Sequence, residues 1–263
     1  RGCRHFVIDN IAVKGNSPNV IVEYSGDSAI NHLLSETGNG VGIGIDNCVS
    51  LALNVVDVFN NTSHGIEIKG ESSSVNLISC ETSNNSGTGV CIMDLSRDIN
   101  LTDCVVKYNK NNGLISGSSS HAIMIDSISI CGNTNKGIYI DGLSHTITGN
   151  IIEENGDNGI EIIGTNCSLI GNIIDGNTNG IKLTGNYITM SNNHCINNSL
   201  TGVIIEGNEC IIIANVIISN AQEGVKIETG SNDTIISLNN IKGNTETNLV
   251  DNGTNTISVN NKN

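Results

Sequence analysis

The chain has 263 residues, 37% of them apolar and 14% charged, with a formal net charge of −14 from 26 acidic and 12 basic side chains. Phosphate recognition needs a Lys/Arg footprint, and arginine occurs only at Arg1, Arg4 and Arg97, so a nucleic-acid partner is excluded. No apolar run approaches the roughly 18 residues a spanning helix needs and no signal peptide is visible, so membrane insertion is not expected.

The apolar residues are Ile, Val and Leu; aromatics make up 2%, Trp is absent and Pro18 is the one proline among 30 glycines. Helix formers do not recur at helical spacing, while β-branched residues alternate with Asn and Gly clusters. The pattern predicts many short strands joined by turns. The opening segment RGCRHFVIDNIAV is strand-like from its start, with no capping helix ahead of it, and it begins with Arg1 rather than Met. It reads as part of a longer protein or a processed product.

From here the chain repeats itself. HGIEI begins at His64, TGVCI at Thr88, NGLIS at Asn112 and KGIYI at Lys136, followed by NGIEI at Asn158, NGIKL at Asn179, TGVII at Thr201 and EGVKI at Glu223. Their glycines, Gly65 to Gly224, are 21 to 24 residues apart. Weaker copies at Asn19, Val41 and Asn248 extend the register to both ends. Self-similarity at such a period means a solenoid. Each repeat holds about three short strands, as in GIEII, CSLIG and NIID between Gly159 and Asp175. The expected fold is all-β: a single-stranded right-handed parallel β-helix of about 11 coils, about 50 Å long at 4.8 Å per rung. Residues 1–263 form one such domain.

Within a coil, the period of two sends Ile160 and Ile162 inward and Glu161 outward. The repeat glycine is expected to supply the backbone conformation that turns the chain into this strand. Asn150, Asn172, Asn193, Asn215 and Asn239 recur at one position and predict an inward asparagine ladder, with Cys80, Cys104, Ser127 and Asn54 in the same column of earlier coils. IIDGNTNGIKL, residues 173–183, has the Asp175, Asn177, Asn179 and Gly180 spacing of a calcium loop, but Asn186 stands where that loop needs its acidic ligand. It reads instead as the polar turn between two coils.

The G-I-x-I strand followed by an N-x-I-x-x-N turn resembles the parallel β-helix repeat proteins over nearly the whole chain. That group includes pectate-lyase-like enzymes, epimerases, phage tailspikes and periplasmic proteins of nitrous oxide reductase maturation. The resemblance implies the solenoid and leaves the function open, because the group shares the scaffold and differs in the site. SHGIEIKG resembles the His-Gly strand entry of polygalacturonases, which makes His64, Glu67 and Asp46 the candidate catalytic set. The paired aspartates and the basic R-I-K segment of that family are missing.

Tyr139, Glu161, Lys182, Ile204 and Lys226 form one outward row with Asp141, Glu206 and Glu228 beside it. Adjacent unlike charges read first as cross-strand pairing, and Tyr139, Asp141, Glu161, Lys182 and Lys226 are the candidate glycan contacts. Of the nine cysteines none forms a C-x-x-C pair. Cys80 and Cys104 are expected as stacked buried thiols, within bridging distance. Cys91, outward on its strand, is the candidate reactive thiol. His145, Cys167 and Cys210 fall near one column, an arrangement that stacking produces without a metal. Sequons such as Asn100, Asn166 and Asn232 arise readily in so Asn-rich a chain.

The expected function is that of an extracellular or cell- or virion-surface structural or adhesive solenoid that contacts glycan, without metal or cofactor beyond incidental calcium. The partners expected are a polysaccharide or cell-surface glycan and the chain itself, end to end or as a trimer. The alternatives are a polysaccharide lyase, glycoside hydrolase or epimerase, and a tailspike shaft.

Overall fold

The computed structural model describes residues 5–262 of the chain. Arg1 and Arg4, named above, and Cys3, one of the nine cysteines, lie outside the described residues. The described chain is a parallel β-solenoid of 31 strands, with no helix among those residues. One sheet takes a single strand from each of 11 coils, from Val20–Glu23 to Leu249–Asp251. The other has 20 strands, takes two from most coils, and bends between them. In the early coils those two strands run together through the bend, as in Gly26–Glu36 and Val49–Phe59. No helix is long and apolar enough to cross a membrane.

Strand alternation places the core as expected. Ile160 and Ile162 are fully buried with Glu161 between them on the outside. Stacking then makes the inward strand positions continuous columns dominated by Ile, Leu and Val, with no buried Phe or Tyr among the described residues.

Two asparagine ladders run inside the rod. The predicted one continues from Asn150 to Asn172, Asn193, Asn215, Asn239 and Asn261. Each Oδ1 accepts the backbone N–H and a side-chain N–H of the asparagine one coil earlier; for Asn172 these are 3.0 and 2.8 Å, from Asn150. A second, longer ladder passes through Asn61, Asn85, Asn109, Asn133, Asn155, Asn177, Asn198, Asn220 and Asn244. Asn177 of the calcium-like stretch is one of its rungs and is fully buried. Toward the start of the chain, the first ladder's column continues as Ile128, Cys104, Cys80 and Val56. Ser127 and Asn54 are therefore not in it: Ser127 is the left-handed bend residue before the column, at φ 54°, and Asn54 points outward and donates to Asn31.

The repeat glycines also differ from expectation. Gly113 and its equivalents do not have positive φ; that conformation falls on the bends between strands, where Val55, Asp103 and Ala214 hold φ of 54°, 54° and 57°. Glycine is required at Gly113 by close stacking. A Cβ there would lie 2.6 Å from the carbonyl oxygen of Gly137 and 2.6 Å from Cγ2 of Ile130. The ladder amide of Asn133 stands 3.0 Å from the same point. The glycine thus lets the ladder and the adjoining strand of the next coil approach together.

Candidate functional site

Register across the 11-stranded sheet sets one outward row in order: Ile21, Gly44, Glu67, Cys91, Ile115, Tyr139, Glu161, Lys182, Ile204, Lys226 and Val250. The candidate glycan contacts Tyr139, Glu161, Lys182 and Lys226 stand on this row as the repeat implied, and Asp141 lies just past the end of the Tyr139 strand.

In the second half of the rod the face is a set of closed ion pairs. Lys182 Nζ lies 2.8 Å from Glu206 and Lys226 Nζ 2.7 Å from Glu228. Lys136, which sequence reasoning did not single out, reaches Asp157 at 3.1 Å and Glu161 at 3.5 Å. Burial would lower its pKa, but the hydrogen bond to Asp157 and the two carboxylate charges outweigh that and raise it. Its ammonium also sits 5.6 Å from the centre of the Tyr139 ring, so the one aromatic of the row has a lysine on its face. Asn158 donates to Glu161 at 2.6 Å.

The first half is shaped differently. Gly44 interrupts the row between Ile21 and Glu67, leaving a cleft of about 200 Å³. Pro18, Ile21 and Val41 give it apolar walls, while Glu23, Asp46 and Lys69, one column on neighbouring coils, line the other side. Lys69 Nζ bonds Glu67 at 2.8 Å, and its pKa is raised by that bond first and then, against desolvation, by the charges of Glu67, Asp46 and Asp94. Of the candidate catalytic set, Asp46 and Glu67 line this cleft and His64 does not. The imidazole Nδ1 of His64 instead accepts the backbone N–H of Thr88, one coil further on, at 3.0 Å. Glu23 and Lys69 were missed in the sequence; their signal is the recurrence of a charged residue at the end of successive G-I-x-I strands. A larger hollow of about 470 Å³, on the 20-stranded sheet where Ala29 and Ala52 leave space in an outward row, has His5 and Asp27 in its lining, with no ion pair between them.

Among the described residues, no group of three or more His, Cys, Asp or Glu side chains is placed to hold a metal ion. His145 and Cys167 do share an inward column, with Ile188 between Cys167 and Cys210. His145 is buried; its Nδ1 accepts the N–H of Ile123 at 3.1 Å and its Nε2 has no partner. Burial, with His121 nearby, lowers its pKa to about 4. All eight described cysteines are free. Cys80 and Cys104 are buried neighbours in their column, as expected for stacked thiols. Cys91 is a correction: it is on the outward row, yet its short side chain between Glu67 and Ile115 is only 2% exposed. Burial first, then the charges of Glu67 and Asp94, push its pKa up to about 12, so it is no reactive thiol.

The model of the right-handed β-helix region matches residues 1–128 and 115–263. Among solved structures the chain is similar to the A-module of mannuronan C-5 epimerase AlgE6 from Azotobacter vinelandii, at 15% identity and a TM-score of 0.68 over 97% of this chain and 88% of that one. A variant of the periplasmic alginate epimerase AlgG aligns at 13% identity and a TM-score of 0.70, over 97% and 78%. The siphovirus 9NA tailspike receptor-binding domain aligns at 12% and 0.67, over 92% of this chain and 51% of that one. No curated protein sequence matches the chain significantly. At these identities the likeness is one of fold. With both halves matched by the family model and the coils stacked in parallel along the whole described length, the chain belongs to the right-handed β-helix family.

Proposed function

We propose that this β-solenoid is a non-catalytic, extracellular or surface-exposed structural or adhesive element that contacts glycan along the outward face of its 11-stranded sheet. One observation carries the reading: every lysine of that face is held by a carboxylate, in the pairs Lys69–Glu67, Lys136–Asp157, Lys182–Glu206 and Lys226–Glu228. A general base must be free to take a proton, and the carboxylates raise the pKa of Lys69, Lys136 and Lys226, which favours their charged forms. The same pairs make a rigid, hydrated surface of alternating donors and acceptors, which suits contact with sugar hydroxyls. Trimeric assembly through a second copy fits the exposed outer isoleucines, among them Ile151, Ile170, Ile173 and Ile211, and end-to-end assembly is the other arrangement proposed.

The cleft at Gly44 favours a second reading, a polysaccharide lyase, glycoside hydrolase or epimerase. There Asp46 and Glu67 share a concave site, and the aligned epimerases act on alginate or mannuronan by name. Incubation with neutral, amino and acidic polysaccharides, followed for new reducing ends, unsaturated uronate and changed C5 configuration, separates the two. Binding without turnover is expected; turnover lost in Glu67→Gln or Asp46→Asn would replace the first reading by the second.

A further inference from the structure

We infer that the cleft at Gly44 is a subsite for a single amine-bearing sugar residue of a cationic glycan, an inference that rests on the glycan-contact reading above. The cleft exists because one side chain is missing from an otherwise continuous outward row: Ile21 and Glu67 stand on either side, and the buried Gly44 leaves the floor between them without a side chain. Its shape is a short slot with an apolar wall of Pro18, Ile21 and Val41, matched to the carbon face of a pyranose.

The opposite wall decides the charge of the occupant. It presents three carboxylates, Glu23, Asp46 and Glu67, and one ammonium, Lys69, which is already bound to Glu67 at 2.8 Å. Asp46 accepts a hydrogen bond from Asn47 at 2.7 Å, and neither it nor Glu23 has a basic partner among the described ion pairs. The slot therefore carries a net charge of about −2, on a protein of −14. A uronate would bring its carboxylate against Asp46 and Glu23 while the one cation of the slot, Lys69, is already bound to Glu67, whereas an ammonium on the sugar would be paired on arrival.

Gly44 also provides a clean test. A Cβ added there would meet nothing nearer than the carbonyl oxygen of Val20 at 4.0 Å, so a side chain can start from this position into the slot, and thermal melting reports whether its further atoms fit. Binding of the glucosamine trimer, the N-acetylglucosamine trimer and trigalacturonate is measured by calorimetry at pH 6 and low salt, for the wild type, Gly44→Leu and Asp46→Asn, with thermal melting to show that each variant folds. The glucosamine trimer should bind at least about ten-fold tighter than its acetylated counterpart, trigalacturonate should not bind, and Asp46→Asn should weaken the amine by about ten-fold. Gly44→Leu should abolish binding while its melting temperature stays within about 2 °C of wild type. Amine binding that persists in Gly44→Leu would mark diffuse charge attraction and overturn the subsite. Equal binding of the acetylated trimer, or preference for trigalacturonate, would overturn the amine assignment while leaving glycan contact standing. Failure of all three saccharides to bind would refute both.

Discussion

Asn109→Ala tests the account of what holds the rod together. Asn109 is fully buried in the longer ladder, and four side-chain hydrogen bonds pass through it. Its Oδ1 accepts the backbone N–H of Asn85 at 3.1 Å and the Asn85 amide at 3.0 Å, and its Nδ2 donates to Thr82 O at 3.2 Å and Asn133 Oδ1 at 3.0 Å. Truncation leaves those partners without a replacement in a dry column. At about 1 kcal/mol per bond, and more for each buried group left unpaired, the loss should be about 4 kcal/mol. Asn109→Asp keeps the acceptor, loses the donor and buries a charge, and should cost more still. Asn111, two residues on, is only half-buried, and its side chain accepts one bond from Asn135 at 2.8 Å; its replacement by Ala should cost about 1 kcal/mol or less. Urea denaturation followed by circular dichroism measures all three. An Asn109→Ala protein as stable as the Asn111→Ala control would refute the ladder as a stabilising element.

Gly113→Ala should cost about 2–3 kcal/mol in thermal or urea melting, because its Cβ has no room beside Gly137 O and Ile130; Gly44→Ala, in open space, should be neutral within about 0.5 kcal/mol. His145 has a folded pKa of about 4 against a usual value near 6.5, so the unfolded chain takes up a proton first as pH falls. Its contribution is complete above pH 6.5 and is lost between pH 6.5 and 4, on the order of 3 kcal/mol, and His145→Gln should flatten that part of the stability–pH curve. In a Cys3→Ser background, Ellman's reagent on the native protein should react first at the half-exposed Cys131, and Cys91 should stay silent until denaturant is added. Early labelling at Cys91 would mean that the outward row is open there.

The repeat made the architecture readable because a coil that adds one rung per 21 to 24 residues stamps its period on every inward position. Row order on the 11-stranded sheet followed directly, since parallel register aligns equivalent residues, and Glu161, Lys182 and Lys226 stand in sequence as read. What escaped were features whose residue type carries two meanings. Asn61 to Asn244 recur as regularly as the first ladder, but they sit in Asn-rich turns where asparagine is ordinary without being buried. Gly113 looked like a bend glycine, yet the bends fall on residues such as Val55 and Ser127, which have no left-handed preference and are held there by stacking above and below.

The candidate site was legible only in part, for a related reason. Periodicity says which side chains point outward, and so found Glu67 and Tyr139. It does not say which are covered or how far they reach. Cys91 is outward and buried, the Tyr139 ring carries Lys136, and the His64 ring is tied to the Thr88 N–H. The cleft itself comes from the absence of a side chain at Gly44, in a sequence where glycine is common enough to hide it.

The most direct test of the central claim is saturation-transfer NMR with a panel of neutral, amino and acidic oligosaccharides, read in the same tube for transfer to the sugar and for new product resonances. The account predicts transfer to at least one glycan that is lost in Gly44→Leu, with the sugar spectrum unchanged over days. Product signals that grow with time and vanish in Glu67→Gln would contradict it.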